Sequence, residues 1–275
     1  MLRFSAANGL HAGQRRILDI YWLGPSNIIW HGLLTSNRDW TFDEAKDSSG
    51  NTPYTANGIT SYGKECITCW DSNTTIFYDD DSLSFARSND NDYPDWTRRV
   101  LTRVRDFPKP AKGSSLVIKP VYGSGTTAVL YINPDGQENL LQFIWNGDMW
   151  EEPTELPTSV PKNASITAFT AGFNSTDSAN FTIQVLTSQP ESATGGVTLT
   201  AYDGLTDTWI STPDLPAFVD VLPESPLAAS QAGRVYGFVS NNGIVEIAEW
   251  VWQWGSGADG MFEKVEGVVK TPVSG

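Results

Sequence analysis

The residue types that most often do chemistry are scarce in this sequence. Among metal ligands and redox groups it has two cysteines, Cys66 and Cys69, and two histidines, His11 and His31. The spacing Cys66-Ile-Thr-Cys69 is that of a redox-active dithiol, but no βαβ pattern surrounds it. We therefore interpret the pair as two strand cysteines, either reduced or joined as a disulfide. The set is too small for a disulfide scaffold or a Cys₂His₂ zinc site, so no metal site is predicted.

Motifs of the common enzyme classes do not supply an activity either. No GxGxxG or GxxxxGK[ST] run opens a helix pattern, and neither GxSxG nor HExxH is present. The sequence therefore excludes an ordinary nucleotide-binding enzyme, an α/β-hydrolase and a zincin.

The charge balance argues against polyanionic partners. Lys and Arg number 18 against 32 Asp and Glu, which gives a formal net charge of −14. Nucleic acids and anionic membrane surfaces attract basic proteins, so neither is expected as a partner. No apolar run reaches the roughly 18 residues of a membrane-spanning helix. With 40% hydrophobic and 18% charged residues, the chain can bury a core.

Evidence about the cellular compartment is indirect. The sequence has four N-x-[ST] sequons, close to the number that chance gives at this Ser and Thr content, at Asn73, Asn163, Asn174 and Asn180. The first residues lack the apolar core of a signal peptide. We expect a secreted protein, or one that passes through the secretory pathway, if a signal has been removed, and a cytoplasmic protein otherwise.

The elements of the chain recur in a fixed order. An aromatic residue ends each polar-rich hairpin, and these markers lie 53 to 59 residues apart, at Trp40, Trp96, Trp150, Trp209 and Phe262. Before each marker we predict a short apolar strand, a β-branched and aromatic strand, a polar turn and a third strand; a fourth follows the marker. The predicted first strands are 2–7, 67–70, 116–119, 166–170 and 226–230. The second strands are 17–22, 75–78, 128–132, 181–186 and 234–238, and the third are 27–31, 82–87, 140–145, 197–202 and 244–252.

Repeated units of four short antiparallel strands predict an all-β protein with a β-propeller fold. Five blades fit the period, six remain possible, and a β-sandwich is the competing fold. The blades would divide a single domain, 1–275, at approximate bounds of 1–56, 57–110, 111–160, 161–220 and 221–275. The arginine-rich segment 98–105 indicates either a short helix or a charged outer edge strand.

The third unit carries a resemblance to a known family. Residues 140–150 read LLQFIWNGDMW, which resembles the repeat I-x-E-x-x-W-[ND]-G-x-x-W of fungal fucose-binding lectin propellers. The fifth unit is similar, with Arg234-Val235-Tyr236 on its second strand and Glu249 on its third. The resemblance implies sugar sites in which an Arg of the second strand and a Glu of the third bind vicinal hydroxyls, while an aromatic ring stacks on the sugar.

Both charged residues of that site occur together in the fifth unit alone. In the predicted alignment, the Arg position holds Asp19, Thr75, Val129, Thr182 and Arg234. The Glu position holds Trp30, Phe85, Gln142, Leu199 and Glu249. A slip of one residue within a strand would exchange the two faces of its sheet. Apolar residues at three of the five Glu positions indicate a hydrophobic ligand larger than a monosaccharide.

The lost sugar positions and the aromatic content resemble the hetero-Diels–Alderases of fungal tropolone sesquiterpenoid biosynthesis, which are lectin-like propellers. This resemblance implies a cofactor-independent pericyclase that joins a tropolone quinone methide to a sesquiterpene alkene. Such an enzyme holds two hydrophobic substrates in a reactive pose, excludes water and donates hydrogen bonds to the tropolone oxygens. The alternative is a lectin with one or a few sites for fucosylated or other glycans.

The candidate site residues follow from these two functions. For the cycloaddition, His31 would donate a hydrogen bond to a substrate oxygen or act as the acid. Arg87 would bind a pair of substrate oxygens, and Asp19 would orient a donor or accept a proton. The walls of the substrate pocket would be aromatic, formed by Trp22, Trp30, Trp70 and Phe85. Arg234 and Glu249 would bind a hydroxylated ligand or form an inherited ion pair.

Overall fold

The computed structural model describes the chain in segments. These are residues 4–7, 16–23, 25–35, 40–44, 46, 58–62, 72–78, 83–89, 96–100, 108, 116–120, 128–132, 134, 139–145, 149–161, 163–171, 182–193, 195–223, 225–230, 233–253 and 261–265. In the strands before residue 116, side chains are described for only a few residues, so those strands are discussed by backbone register.

The described strands form five four-stranded antiparallel sheets, each with its strands side by side in chain order. Sheet one has β1 Phe4–Ala7, β2 Arg16–Leu23, β3 Ile29–Thr35 and β4 Trp40–Glu44. Sheet two has β5 Gly58–Tyr62, β6 Ser72–Tyr78, β7 Leu83–Asn89 and β8 Trp96–Val100. Sheet three has β9 Leu116–Pro120, β10 Ala128–Ile132, β11 Asn139–Trp145 and β12 Thr154–Ser159. Sheet four has β13 Ile166–Ala171, β14 Thr182–Ser188, β15 Val197–Asp203 and β16 Thr208–Thr212. Sheet five has β17 Ala228–Ala229, β18 Arg234–Asn241, β19 Ile244–Gln253 and β20 Met261–Lys264.

Helical structure in the described segments is limited to two short 3₁₀ turns, Pro25–Asn27 and Pro216–Phe218. Neither has the length or the hydropathy of a membrane-spanning helix.

The predicted strand order is found in every sheet, with one misplaced strand. The first strand of sheet two is Gly58–Tyr62 and not 67–70, and the latter segment lies outside the described residues. The strand was missed because Gly-Ile-Thr-Ser-Tyr has a single aliphatic residue, Ile59, and so lacks the apolar run used as the signal. The arginine-rich segment 98–105 begins within β8, the outer strand of sheet two, which agrees with the edge-strand interpretation as far as Val100.

Contacts divide the chain into two compact units, residues 1–137 with 141–155, and residues 138–140 with 156–275. Within the first unit, β1 lies beside β5 and β5 lies beside β9. Within the second unit, β13 lies beside β17. Within each unit, the first strand of one sheet is thus the neighbour of the first strand of the next, as expected for repeated sheets of a propeller.

Sheets four and five pack face to face through a largely aromatic core. Phe169 meets Trp252 edge-on with ring centroids 5.8 Å apart, and Phe218 stacks on Trp250 at 4.6 Å. The Trp250 indole Nε1 also donates a hydrogen bond to the carbonyl oxygen of Ala217, 2.6 Å away. These rings bury large apolar areas in preferred geometries, so they hold one face of sheet five in a set position.

The other face of sheet five is only partly covered. Because side chains alternate between faces along a strand, Val235 and Val239 of β18 are buried in the core, while Arg234, Tyr236 and Phe238 are half-buried or exposed. The same alternation runs along β19. The candidate site lies on this second face.

Candidate functional site

We call this second face the charged face of sheet five. It is formed by every second residue of β18, β19 and β20, namely Arg234, Tyr236, Phe238, Ile247, Glu249, Val251, Gln253 and Glu263. The register places Tyr236 opposite Glu249 and Arg234 opposite Val251. Directly opposed residues of an antiparallel pair have their side chains on the same face, so this register brings Arg234, Tyr236 and Glu249 together.

One carboxylate oxygen is the centre of the site. Glu249 Oε1 accepts a hydrogen bond from the Arg234 guanidinium and forms an ion pair with it. The Tyr236 hydroxyl donates to the same oxygen at 3.2 Å. The Arg234 side chain is 48% exposed and that of Glu249 is 15% exposed, so the pair is reachable from solvent.

The electrostatics keep both donors protonated. The hydrogen bond and the charge of Glu249 raise the pKa of Arg234 above its ordinary value. Burial, and then the negative charge of Glu249, raise the pKa of the Tyr236 hydroxyl. Around neutral pH the site therefore presents a fixed cation, a neutral phenol and an accepting oxygen.

A glycine positions the start of β18. Gly233 has a φ of +73°, and a Cβ there would lie 2.9 Å from the Cβ of Trp252. Its carbonyl oxygen accepts a hydrogen bond from the Trp252 amide at 2.8 Å. A residue with a side chain would be strained at this position, so glycine allows the chain to pass close to Trp252 directly before Arg234.

The neighbours of the ion pair differ at its two ends. Towards the β18–β19 turn, Phe238 lies opposite Ile247, and both are half-buried. Towards the other end, the Gln253 side-chain amide donates to Glu263 Oε2 at 2.7 Å. The charged face therefore has an apolar end and a polar end, with the ion pair between them.

Sheet three has a neutral counterpart of this arrangement. Tyr131 lies opposite Gln142, as Tyr236 lies opposite Glu249, and its hydroxyl donates to Gln142 Oε1 at 2.9 Å. Val129 occupies the Arg position, as the sequence alignment predicted. Tyr131 is 0% and Gln142 7% exposed, and burial raises the pKa of Tyr131 well above its ordinary value.

In sheet four the equivalent positions belong to the core. Leu199 holds the Glu position as predicted; it lies opposite Leu186, and both are fully buried. The Arg position is Gln184, not Thr182 as the alignment had it, because Gln184 is the residue two before Leu186 on the same face. Gln184 is also buried, and its side-chain amide donates to Thr182 Oγ1 at 2.9 Å.

The register of sheet one corrects another position. Trp22 lies opposite Trp30, so these two predicted pocket residues share one face. Tyr21 lies opposite His31, and Asp19 is on the same face as Tyr21 because it is two residues away. Asp19 and Trp30 therefore lie on opposite faces: the residue that matches Asp19 is His31, and the residue that matches Trp30 is Ile20. The two predicted catalytic residues of this sheet thus share the face opposite to that of the tryptophans.

Sheet two also brings two predicted residues onto one face. Phe85 lies opposite Ile76, and Arg87 lies opposite Thr74. Thr75, the predicted occupant of the Arg position, is on the other face, so the position belongs to Thr74. The remaining predicted aromatic residue, Trp70, lies outside the described residues, as do Cys66 and Cys69.

The described part of the chain holds no group of three or more His, Cys, Asp or Glu residues that could bind a metal ion.

The sequence alignment did not identify the residues around the ion pair on the charged face. Counting by twos from Arg234 and Glu249 would have pointed to Phe238 and Gln253. The register of β20, and with it Glu263, depends on the length of the segment 254–260, for which no motif exists.

Comparison with known proteins identifies the fold. No family model and no curated protein matches the sequence. The SapL1 lectin, solved in complex with α-methyl fucoside, is similar with a TM-score of 0.64 at 14% identity over 99% of this chain and 81% of that one. AofleA from Arthrobotrys oligospora gives a TM-score of 0.63 at 12% identity, over 97% of this chain and 72% of that one. The Aleuria aurantia lectin, a six-bladed β-propeller that recognises fucose, gives 0.50 at 15% identity, over 99% and 97%.

These similarities confirm the predicted all-β propeller, with the fold of the fungal fucose-specific lectins. Five four-stranded sheets are present among the residues described here, whereas the Aleuria aurantia lectin has six blades. At such low identity the likeness concerns the fold, so the function has to be argued from the site itself.

Proposed function

We propose that the protein is a glycan-binding protein whose site is the charged face of sheet five. The observation that carries the proposal is the Arg234–Glu249 ion pair, joined by the Tyr236 hydroxyl, on a face that solvent reaches. The SapL1 and Aleuria aurantia lectins, which share this fold, are solved with α-methyl fucosides. This supports a fucose-type sugar as the ligand.

The chemistry of the three side chains suits vicinal hydroxyls. Each sugar hydroxyl can donate one hydrogen bond and accept others, so two neighbouring hydroxyls match a guanidinium donor beside a carboxylate acceptor. Bonds to ionised groups are roughly twice as strong as neutral ones, which offsets part of the cost of removing the sugar from water. Because Glu249 already holds Arg234, little side-chain freedom is lost when the ligand binds.

The apolar end of the charged face complements a deoxy sugar. Phe238 and Ile247 lie opposite each other and are half-buried, which leaves part of their apolar surface exposed next to Glu249. Fucose has a methyl group where most hexoses have a hydroxymethyl, and its C–H face is apolar. Contact with an aromatic or aliphatic side chain buries that surface and favours this sugar over fully hydroxylated ones.

Fucose-agarose chromatography tests the proposal. The wild-type chain should be retained and released by free fucose, whereas Arg234→Ala should flow through because the cation that binds the hydroxyls is lost. Lys264→Met is the matched control: it removes an exposed ion pair with Asp220 on the other face of β20, so retention should persist. Flow-through of the wild-type chain on fucose and on a broader glycan panel would refute the proposal.

A second candidate function concerns sheet one. Asp19, Tyr21 and His31 have the same register relation to one another as Arg234, Tyr236 and Glu249 have in sheet five. A histidine and a carboxyl on one face of adjacent strands favour proton transfer or hydrogen bonding to a ligand oxygen, which the predicted cycloaddition requires. The similar structures named above are lectins, so they favour sugar binding, and the pericyclase activity stays a prediction. A product assay with a hydroxymethyl tropolone and humulene tests it: unchanged yield and stereoisomer ratio would exclude it.

A further inference from the structure

The polar end of the charged face continues the site across the sheet. Arg234, Val251 and Glu263 lie opposite one another on β18, β19 and β20, so they form a row across three strands. Gln253 lies next along β19 and donates its side-chain amide hydrogen to Glu263. A second set of donors and acceptors therefore begins one strand beyond the ion pair.

The dimensions of this row match a ligand of two sugar units. Neighbouring strands are about 4.8 Å apart, so the backbones at Arg234 and Glu263, two strands apart, are separated by roughly 10 Å. This is about the length of two linked pyranose rings. Val251, between them, is half-buried and presents only methyl groups. A sugar ring bound at the ion pair would lie on one side of this valine, and a ring joined to it would lie over the valine and reach Gln253 and Glu263.

Sheet four shows that the polar pair is not a general feature of the hairpin. The position of Gln253 is held there by Asp203, whose carboxylate accepts from the Leu205 amide at 2.9 Å within its own turn. The position of Glu263 is held by Ile210, which lies opposite Ala201. In that sheet the positions of the ion pair, Leu199 and Gln184, are buried in the core. The residues that would contact a second sugar there are either apolar or already hydrogen-bonded within the turn.

We infer that Gln253 and Glu263 form a second sugar subsite, so that the preferred ligand is a fucosylated oligosaccharide rather than free fucose. This inference rests on the proposed function, because the first sugar must be held by Arg234 and Glu249. The amide of Gln253 and the carboxylate of Glu263 supply both a donor and an acceptor for the hydroxyls or the N-acetyl group of the second sugar.

Calorimetric titration of the full chain tests the subsite. The ligands are methyl α-L-fucoside and a panel of fucosyl disaccharides that differ in linkage. We expect at least one disaccharide to bind about tenfold more tightly than the monosaccharide, as two added hydrogen bonds would give. Gln253→Ala and Glu263→Ala should each reduce this ratio towards one. Lys264→Met, next to Glu263 but on the other face, should keep it.

The outcomes separate the two proposals. If the wild-type chain binds monosaccharide and every disaccharide equally, the second subsite is refuted and the glycan site stands. A disaccharide preference that survives both Gln253→Ala and Glu263→Ala refutes the subsite as well. If the wild-type chain binds neither kind of ligand, the proposed function fails and the inference fails with it.

Discussion

Sheets three and five place a tyrosine opposite a hydrogen-bond acceptor at the same register position, yet one pair is buried and the other is open. In sheet three, Tyr131 donates to Gln142, and neither is exposed by more than 7%. In sheet five, Tyr236 donates to Glu249, whose partner Arg234 is half exposed. The backbone register is the same, so the difference lies in the side chains and in what packs against them.

The comparison indicates that the charge of the side chains at these positions decides whether a repeated unit buries them or leaves them exposed to solvent. A buried carboxylate costs several kcal/mol by typical estimates unless it is paired, whereas a buried amide needs only its hydrogen bonds. With Gln142 and Val129 the position is neutral and can close into a core. With Glu249 and Arg234 it carries two charges and stays at the surface. In sheet four, Leu199 replaces the acidic residue and Gln184 the arginine, so both positions are uncharged and both are fully buried.

The largest effect on stability is expected in sheet four, where the equivalent positions are fully buried. Leu199→Glu would restore the acidic residue at the Glu position of sheet four, but Leu199 is 0% exposed and packs in the core with Phe169 and Trp252. We expect a loss of unfolding free energy of about 4 kcal/mol or more and no new sugar site. Urea denaturation and a fucose titration would show this. A stable variant that gains a binding site would break the comparison.

The reciprocal exchange between sheets three and five should separate stability from binding. Gln142→Glu puts a carboxylate next to Tyr131 in a buried position, so it should destabilise the fold by about 2–4 kcal/mol at neutral pH and by less at acid pH, where the group is protonated. Glu249→Gln keeps the shape but removes the charge; it should lower sugar affinity by roughly 10- to 100-fold, with little change in stability.

Both variants are measured by denaturation and by calorimetric titration. If Gln142→Glu lowers sugar affinity as much as Glu249→Gln does, sheet three also contains a binding site. In that case burial would not distinguish the two regions.

The matched tyrosine variants sharpen the same contrast at a smaller scale. Tyr131→Phe leaves the Gln142 oxygen without its donor inside the protein, and should cost about 1–3 kcal/mol of stability. Tyr236→Phe removes a hydrogen bond at a partly exposed site and should cost less than about 1 kcal/mol, while weakening sugar binding several-fold. Thermal denaturation and titration of both variants check this. Equal destabilisation by the two changes would contradict the difference in burial.

The pH dependence of stability gives the smallest effect. Burial raises the pKa of Tyr131 in the folded protein, whereas in the unfolded chain it is about 10. The contribution of Tyr131 to the free energy of unfolding is therefore complete below a pH of about 10. It is lost as the pH rises from there towards the pKa in the folded protein, because in this range Tyr131 ionises only in the unfolded chain. From pH 9 to 11 the wild-type chain should lose about 1 kcal/mol more than Tyr131→Phe in denaturant titrations. Identical pH profiles would show that Tyr131 ionises freely in the folded state.

The sequence predicted most of the fold because the repeat is carried by local patterns. Strand periodicity, polar turns and the marker aromatics are properties of neighbouring residues, and they identified β10, β14 and β18 closely. The strand Gly58–Tyr62 was missed because Ile59 and Tyr62 are separated by two polar residues and form no apolar run. The Arg234–Glu249 pair was also found, because both residues are part of the family repeat.

The parts of the site that depend on strand register could not be predicted. An alignment error of one residue moves a side chain to the opposite face, which is why the alignment paired Asp19 with Trp30, and Thr75 with Phe85, although the two members of each pair lie on opposite faces. Burial was also beyond the sequence. Tyr131 and Tyr236 look alike in a strand pattern, and only packing makes one structural and the other accessible.

The number of sugar sites on the full chain tests the central claim most directly. Calorimetric titration of the wild-type protein with methyl α-L-fucoside should show a single class of site with a stoichiometry of about one, since among the five described sheets only sheet five retains the charged pair. The same titration of Glu249→Gln should show the affinity lowered by roughly 10- to 100-fold. A stoichiometry of three or more, or a single site whose affinity is unchanged by Glu249→Gln, would contradict the assignment of binding to the charged face of sheet five.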